Sequence, residues 1–153
     1  MKVELAKLEL LYIIFILATF VSCQESLKER CAREAEEYTV RNCPQKIGME
    51  LILDSVTFTE DANVMGYHYT ATGTLDDAEM MKTNYTRFRD LMKHEIRNSA
   101  NLKPYKDAGF SFEYTYTSQK DKNILLVLRI EEKDYKVCSI NSKMIWTLMV
   151  AFV

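Results

Sequence analysis

Glycine, proline and excess positive charge are all scarce in this chain, and each shortage narrows what the protein can be. The 153 residues include only four glycines and two prolines, too few for a long flexible linker or a low-complexity segment. The formal net charge is −2 at pH 7, whereas a protein that binds nucleic acid needs a strongly basic face. The sequence therefore predicts an ordinary folded domain that does not bind nucleic acid.

The sequence also lacks catalytic and cofactor-binding signatures. G-x-S-x-G, the P-loop and G-x-G-x-x-G are absent. The two histidines, His68 and His94, fall in no metal-binding spacing, and such a histidine is more often a hydrogen-bonded structural residue than a ligand or base. We therefore expect no metal, no cofactor and a non-enzymatic module. The alternative is a small periplasmic enzyme whose acid and base residues meet only in the fold.

The N-terminal segment has the layout of an export signal. Lys2 and Lys7 give a basic start, residues 10–21 are almost wholly apolar, and the small Ser22 follows. As a helix the apolar run extends about 18 Å, well short of the ~30 Å hydrocarbon core of a membrane. We predict a signal peptide over residues 1–22, with ordinary secretion and an uncleaved anchor as alternatives to lipid attachment.

Phe20-Val21-Ser22-Cys23 resembles the lipobox of bacterial lipoproteins. The resemblance implies that Cys23 becomes the lipidated N-terminus, anchored by acyl chains that each contribute ~0.8 kcal/mol per buried methylene. The next residue, Gln24, is similar to those of lipoproteins sent to the outer membrane. By resemblance the protein is then lipid-anchored in the cell envelope, and its partners are the membrane and possible envelope proteins, with its oligomeric state left open.

Three further cysteines, Cys31, Cys43 and Cys138, are an odd count and so do not form a disulfide scaffold. Cys31 and Cys43 lie near opposite ends of one predicted helix, about 18 Å apart at 1.5 Å per residue. A disulfide needs Cα atoms within roughly 7 Å, so this pair is excluded while the helix is intact. A bridge to Cys138 and free thiols both stay open.

Two helices are predicted. Ser26 and Glu29 have the spacing of a capping box, so the first helix runs from there to about residue 41 and ends before Pro44. Asp76 or Asp77 caps a second helix that reaches about residue 99. The apolar stripe of the second helix comprises Met81, Tyr85, Phe88, Met92 and Ile96.

Alternating apolar residues predict four strands arranged as two hairpins. Residues 47–59 form the first strand, with a bulge near Asp54 and Ser55, and residues 64–74 return. Residues 110–117 and 124–131 form the second hairpin. Its last strand is apolar on both faces at 125–128, which is typical of a central strand.

The order helix, hairpin, helix, hairpin predicts an α+β fold: a four-stranded antiparallel sheet with two helices packed on one face. Residues 23–137 form this single domain, and residues 138–153 are an apolar tail of uncertain order. The domain resembles small uncharacterised lipoproteins of Gram-negative bacteria with this αββαββ plan, over about residues 27–132, and the resemblance implies no activity. The resembling segments are Cys43-Pro44, Leu53-Asp54-Ser55-Val56, Gly66-Tyr67-His68-Tyr69 and Gly109-Phe110-Ser111-Phe112-Glu113-Tyr114.

Two surface features point to function. A basic stripe recurs on one side of the second predicted helix, where it faces anionic lipid, a protein partner or only solvent; it comprises Lys82, Arg89, Lys93 and Arg97.

Six aromatic residues fall on one sheet face. They are part of the core if the helices cover that face, or a binding surface if the face is open. They are Tyr67, Tyr69, Phe110, Phe112, Tyr114 and Tyr116. The resulting interpretation is an envelope-tethered binding, inhibitory or assembly module.

Overall fold

The computed structural model of the protein describes residues 25–136. The predicted signal peptide (1–22), the lipidation site Cys23, Cys138 and the apolar tail (138–153) lie outside the described residues. Within them, no helix is both long and apolar enough to cross a membrane.

Five strands form one mixed sheet in the order β1-β2-β3-β4-β5, in which only β3 and β4 run parallel. The α+β prediction is confirmed, but the four-stranded antiparallel sheet is wrong, because the sheet has a fifth strand and one parallel pair. The strands are Gln45–Ile47 (β1), Leu51–Thr59 (β2), Val64–Ala71 (β3), Ser111–Ser118 (β4) and Ile124–Ile130 (β5).

The parallel pair follows from the connection between the two hairpins. After β3 ends at Ala71, the chain passes along the helical layer and rejoins the sheet where β3 began, so that Val64 lies beside Ser111. A strand that returns through a helical crossover to lie next to its predecessor runs parallel to it. The extra strand arises because residues 47–59 are not one strand: Gly48, at φ +72°, allows a tight turn between β1 and β2.

The helices are Leu27–Asn42 (α1), Ala78–Thr83 (α2), Tyr85–Asn98 (α3), Lys103–Asp107 (α4) and Glu132–Tyr135 (α5). The capping box at Ser26 is confirmed, since its hydroxyl accepts from the Glu29 amide and the Glu29 carboxylate accepts from the Ser26 amide. The single helix predicted from Asp76 or Asp77 to residue 99 is wrong. Asp77 does cap a helix, but that helix ends at Thr83, with Asn84 as its C-cap, and a second helix starts at Tyr85.

The first helix covers the outer edge of β2 beyond the short β1. The Thr39 hydroxyl accepts from the Val56 amide (2.8 Å) and donates to the Val56 carbonyl (2.9 Å). Farther along, the Lys28 ammonium donates to the Glu60 carbonyl (3.2 Å). Because α1 meets backbone groups that would otherwise be bare, this edge is protected from pairing with another chain.

One sheet face packs against the helices and forms the core. Phe112 is wholly buried between Met65 of β3 and Ile130 of β5. The rings of Tyr67 and Tyr114 stack with centroids 5.2 Å apart. Most of the predicted aromatic face is therefore core, as the helix-covered interpretation expects.

The predicted bulge near Asp54 is confirmed by a register shift between Leu53 and Ser55. The described residues give strand 124–131 only one neighbour, so its place as a central strand stays a prediction. β5 lies at the edge of the described sheet, where Ile124 is 65% exposed and Val127 is 42% exposed.

Candidate binding groove

A groove of about 580 Å³ opens on the outer side of the helical layer, where α2 meets α3. We call this the α2–α3 groove; its lining is Met80, Asn84, Arg87, Phe88 and Leu91. Leu91 is 50% exposed, and the neighbouring Tyr85 is 40% exposed. Three of the five lining side chains are large and apolar. Covering this surface with an apolar ligand would remove it from water, which is favourable.

The groove lies at the break between α2 and α3. At Asn84 the backbone leaves the helical conformation, with φ −95° and ψ 11°. Its backbone amide still makes the helical bond to the Met80 carbonyl (3.1 Å), and its side-chain amide donates to the same oxygen (2.9 Å). Asparagine competes with helical hydrogen bonding in this way, which explains why it ends helices. One residue, Asn84, therefore separates α2 from α3, and it lies in the lining of the groove.

Two fully buried residues hold the helices in place behind the groove. Met81 of α2 and Ile96 of α3 are each 1% exposed and belong to the main core. Phe88 and Met92 are partly buried and pack against that core. Both walls of the groove are therefore fixed by the core and need not form on binding.

The groove carries positive charge. Arg87 is exposed on its lining and makes no ion pair within 4 Å among residues 25–136. An arginine beside apolar side chains suits a ligand that presents a carboxylate next to an apolar surface.

A second groove of about 330 Å³ lies between α1 and β2. It includes Thr39 and Val56, whose polar groups bond each other, and Val40, which is 77% exposed. It is the smaller of the two and is partly occupied by contacts that hold α1 to the sheet, so we regard the α2–α3 groove as the better candidate.

Three residues of the basic stripe surround the last described helix. The Arg89 guanidinium lies 2.8 Å from the Asp134 carboxylate, Lys93 lies 3.9 Å from it, and Arg97 donates to the Asp134 carbonyl (3.1 Å). Lys82 lies apart, on α2. The stripe therefore holds α5 against α3, and its role as a contact for anionic lipid or a partner stays a prediction.

Burial of Asp134 acts to raise the pKa of its carboxyl. The Glu131 amide and the cations Arg89 and Lys93 outweigh that effect, so the pKa lies below its usual range. The carboxylate is thus charged at neutral pH, and the ion pairs that hold α5 are intact there.

The histidines lie on the surface. His68 is on the sheet face that the helices do not cover, where its Nε2 is 3.1 Å from the Thr57 hydroxyl. His94 contacts its helix neighbours Asn98 and Glu95 and is about 70% exposed. Residues 25–136 contain no cluster of three metal-ligating side chains. The enzyme alternative gains no assembled acid/base site from these positions.

No disulfide joins Cys31 and Cys43 in the described part of the chain. Cys31 is 1% exposed in the core, and burial raises the pKa of its thiol. A thiol with a raised pKa is a poor nucleophile.

The described residues thus form a small α+β domain with an apolar groove on its helical layer. A model of a protein family matches residues 26–126, two thirds of the chain, and its description is a domain of unknown function, DUF8479. The chain belongs to the DUF8479 family. A comparison with curated proteins finds no match.

Solved structures show the same fold. One is the crystal structure of a protein from Pseudomonas aeruginosa that is described as secreted. It is 17% identical in sequence with a TM-score of 0.62, and the match covers 76% of this chain and 99% of that one. The pilotin EpsS of the Vibrio vulnificus type 2 secretion system is 8% identical with a TM-score of 0.54, covering 72% of this chain and 93% of that one. At these identities the likeness establishes the fold and leaves function to the site.

Proposed function

We propose that this protein is a non-enzymatic binding module tethered to the cell envelope, and that its α2–α3 groove holds an apolar segment of a protein partner. The observation that carries the proposal is the half-exposed Leu91 beside the partly buried Phe88, in a groove whose walls are fixed by buried Met81 and Ile96. A preformed apolar groove suits a partner segment because little ordering of the site is needed on binding.

The partner segment is amphipathic in this proposal. Its apolar side chains contact Met80, Phe88 and Leu91, and an acidic residue at its edge pairs with Arg87. An assembly role is consistent with the shared fold of the pilotin, whose own name places it in a secretion system. An inhibitory role uses the same contact, so the groove is common to both.

The lipid anchor at Cys23 and location at the outer membrane are part of the proposal. α1 begins at Leu27, four residues after Cys23, so an anchor there keeps the described domain close to the bilayer surface. The domain itself needs no membrane-spanning element for this arrangement.

Replacing Leu91 with glutamine tests the groove. Loss of an apolar side chain that becomes buried on binding costs about 1.5–3 kcal/mol, which corresponds to a loss of affinity of roughly tenfold or more. Bait protein carrying Leu91→Gln should therefore capture at least about tenfold less of the partner from envelope extracts than the unmodified protein does.

Val40→Gln is the matched control, since Val40 is also an exposed apolar residue on a helix. It should capture the same partner as the unmodified protein. Both substitutions are at exposed positions and should change stability by less than about 0.5 kcal/mol, which denaturant melts verify. Equal capture by all three baits would exclude the groove as the binding site.

A further inference from the structure

A pocket of about 420 Å³ lies at one corner of the sheet, on the face that the described helices leave open. Parts of the chain that are far apart in sequence build it: β1, the start of β2, the end of β3 and the turn between β4 and β5. We call this the corner pocket; its lining includes Lys46, Ile52, Asp54, Thr70, Gln119 and Lys122. It is on the other side of the sheet from the helical layer, so it is separate from the α2–α3 groove.

A row of cross-strand neighbours forms the floor of the corner pocket. Lys46 of β1 pairs with Ile52 of β2, and Ile52 pairs with Thr70 of β3, so the three side chains lie beside one another on one face. The Thr70 hydroxyl donates to the Asp54 carboxylate (2.7 Å), which holds this acid at the floor. The floor thus offers an ammonium group, a carboxylate and an apolar side chain.

The turn between β4 and β5 brings a second lysine to the same pocket. The Ser118 hydroxyl accepts from the backbone amides of Lys120 (3.1 Å) and Asp121 (3.3 Å), and the Lys122 amide donates to the Ser118 carbonyl (3.2 Å). Lys122 has φ +61°, a left-handed conformation that costs energy for a residue with a side chain. Lys122 and the neighbouring Gln119 are therefore presented by a turn whose conformation is fixed by several hydrogen bonds.

The charges of the corner pocket favour an anion. Its lining has two lysines and one aspartate, so the net charge is positive. Two like charges at one pocket repel each other, and an anion bound between them replaces that repulsion with attraction. An ammonium group binds phosphate as a point charge, whereas carboxylates are more often recognised by the planar fork of arginine. The two lysines therefore suit a phosphate ester, which carries about −1.5 to −2 charge at neutral pH.

Asp54 adds a requirement for hydroxyl groups on the ligand. Its carboxylate repels a bare anion but accepts hydrogen bonds from hydroxyls, while Ile52 offers apolar surface to the C–H groups of a small ring. The volume of about 420 Å³ lies within the range of roughly 300–1,000 Å³ that is typical of small-ligand sites. The pocket therefore matches a phosphate joined to a small polyol.

We propose that the corner pocket binds the phosphate ester of a small cyclic polyol such as a sugar. The phosphate lies between the ammonium groups of Lys46 and Lys122, and the hydroxyls donate to the Asp54 carboxylate. A soluble sugar phosphate and the phosphorylated headgroup of a membrane lipid share this chemistry.

Acylation of lysines in the full-length protein, followed by mass spectrometry, tests the proposal. Without ligand, Lys46 and Lys122 should react as fast as the exposed Lys82 on α2. Glucose-6-phosphate at about ten times its Kd should slow the reaction of Lys46 and Lys122 roughly tenfold and leave Lys82 unchanged. Glucose should slow none of the three. Vesicles that contain phosphatidylinositol-4-phosphate separate the two sources, because protection by these vesicles alone would assign the ligand to a membrane lipid.

Substitutions locate the site. Lys46→Gln with Lys122→Gln should weaken the binding of glucose-6-phosphate, measured by calorimetry, at least about tenfold. Lys82→Gln with Lys133→Gln removes the same charge from the helices and is the matched control, which should bind as the unmodified protein does. Asp54→Ala should bind inorganic phosphate more tightly and lose the preference for glucose-6-phosphate over inorganic phosphate.

Three results would overturn the proposal. One is slow acylation of Lys46 and Lys122 without ligand, which would mean that the pocket is already covered. Another is that neither glucose-6-phosphate nor the vesicles protect these lysines. The last is an equal loss of affinity in the two double variants.

Discussion

Replacing Phe112 with alanine is expected to lower the free energy of unfolding by about 3–5 kcal/mol. The ring is 0% exposed and makes an edge-on contact with Tyr135 at a centroid distance of 5.9 Å. Removing it leaves a cavity at the centre of the sheet and takes away the surface on which α5 packs. Urea denaturation of the two proteins measures the difference.

Thr115→Ala is the control for this substitution, because Thr115 lies on the same strand and its side chain is on the face that the helices leave open. It should cost less than about 1 kcal/mol. A loss of less than about 1 kcal/mol for Phe112→Ala would show that the aromatic face is not the core, and would restore the interpretation of that face as a binding surface.

Alkaline pH is expected to unfold the protein through its buried tyrosines. Burial raises the pKa of Tyr67 and of Tyr116 to about 12, with neighbouring tyrosines adding to the effect, and it raises the pKa of Tyr114 further. These hydroxyls stay protonated in the folded state above pH 10, where the unfolded chain begins to lose its tyrosine protons.

The sign of the effect follows from that difference. Below pH 10 both states hold these protons, and stability does not depend on these groups. Between about pH 10 and 12 the unfolded state is favoured by roughly 1.4 kcal/mol per pH unit for each tyrosine, or about 4 kcal/mol per unit for three. The roughly 8 kcal/mol lost between pH 10 and 12 is comparable with the whole stability of a domain, about 5–15 kcal/mol. We therefore expect an alkaline unfolding transition as the pH approaches 12, followed by tyrosinate absorbance and circular dichroism.

The variant with Tyr67→Phe and Tyr116→Phe keeps the buried rings and removes two ionisable groups. Its stability should fall with a clearly shallower slope than that of the unmodified protein over the same pH range, while Tyr114 and Tyr135, whose pKa values burial also raises, still contribute. An unchanged slope would mean that the alkaline transition has another origin.

Structural features that depend on residues close together in the sequence, such as helix caps and strand bulges, could be predicted from the sequence. The Ser26–Glu29 capping box and the bulge after Leu53 are both determined within a few positions, because a side chain meets the adjacent backbone or the apolar alternation changes parity. Local patterns of this kind indicate where an element begins or shifts, and both predictions are confirmed.

The arrangement of the hairpins could not be predicted in the same way. Each hairpin is encoded locally, but the choice of β3 and β4 as parallel neighbours depends on how the helical crossover packs. The apolar pattern of β5 indicated two neighbours, whereas the described sheet gives it only one. Strand order is thus a property of packing between distant segments, which alternation does not report.

The candidate groove was missed for a related reason. It lies at Asn84, whose poor fit to a helix interior was visible in the sequence but was outweighed by the long apolar stripe around it. Met80 and Leu91 lie off that stripe, and they were the other indication of a groove in the sequence. Apolar residues outside the core-facing row extend the apolar surface of a helix beyond the part that packs on the core. Asp134, the partner of Arg89, lies 45 positions away, so the basic stripe looked unpaired in the sequence.

Site-specific photocrosslinking in intact cells tests the central claim most directly. A photoreactive side chain at position 91 should crosslink to one envelope protein, and mass spectrometry should place the link in an apolar segment with an acidic residue. The same group at position 40 should not give that product. Two results would contradict the proposed binding groove. One is that position 91 crosslinks only to lipid, to a second copy or to residues 144–153 of the chain. The other is that positions 91 and 40 give equal products.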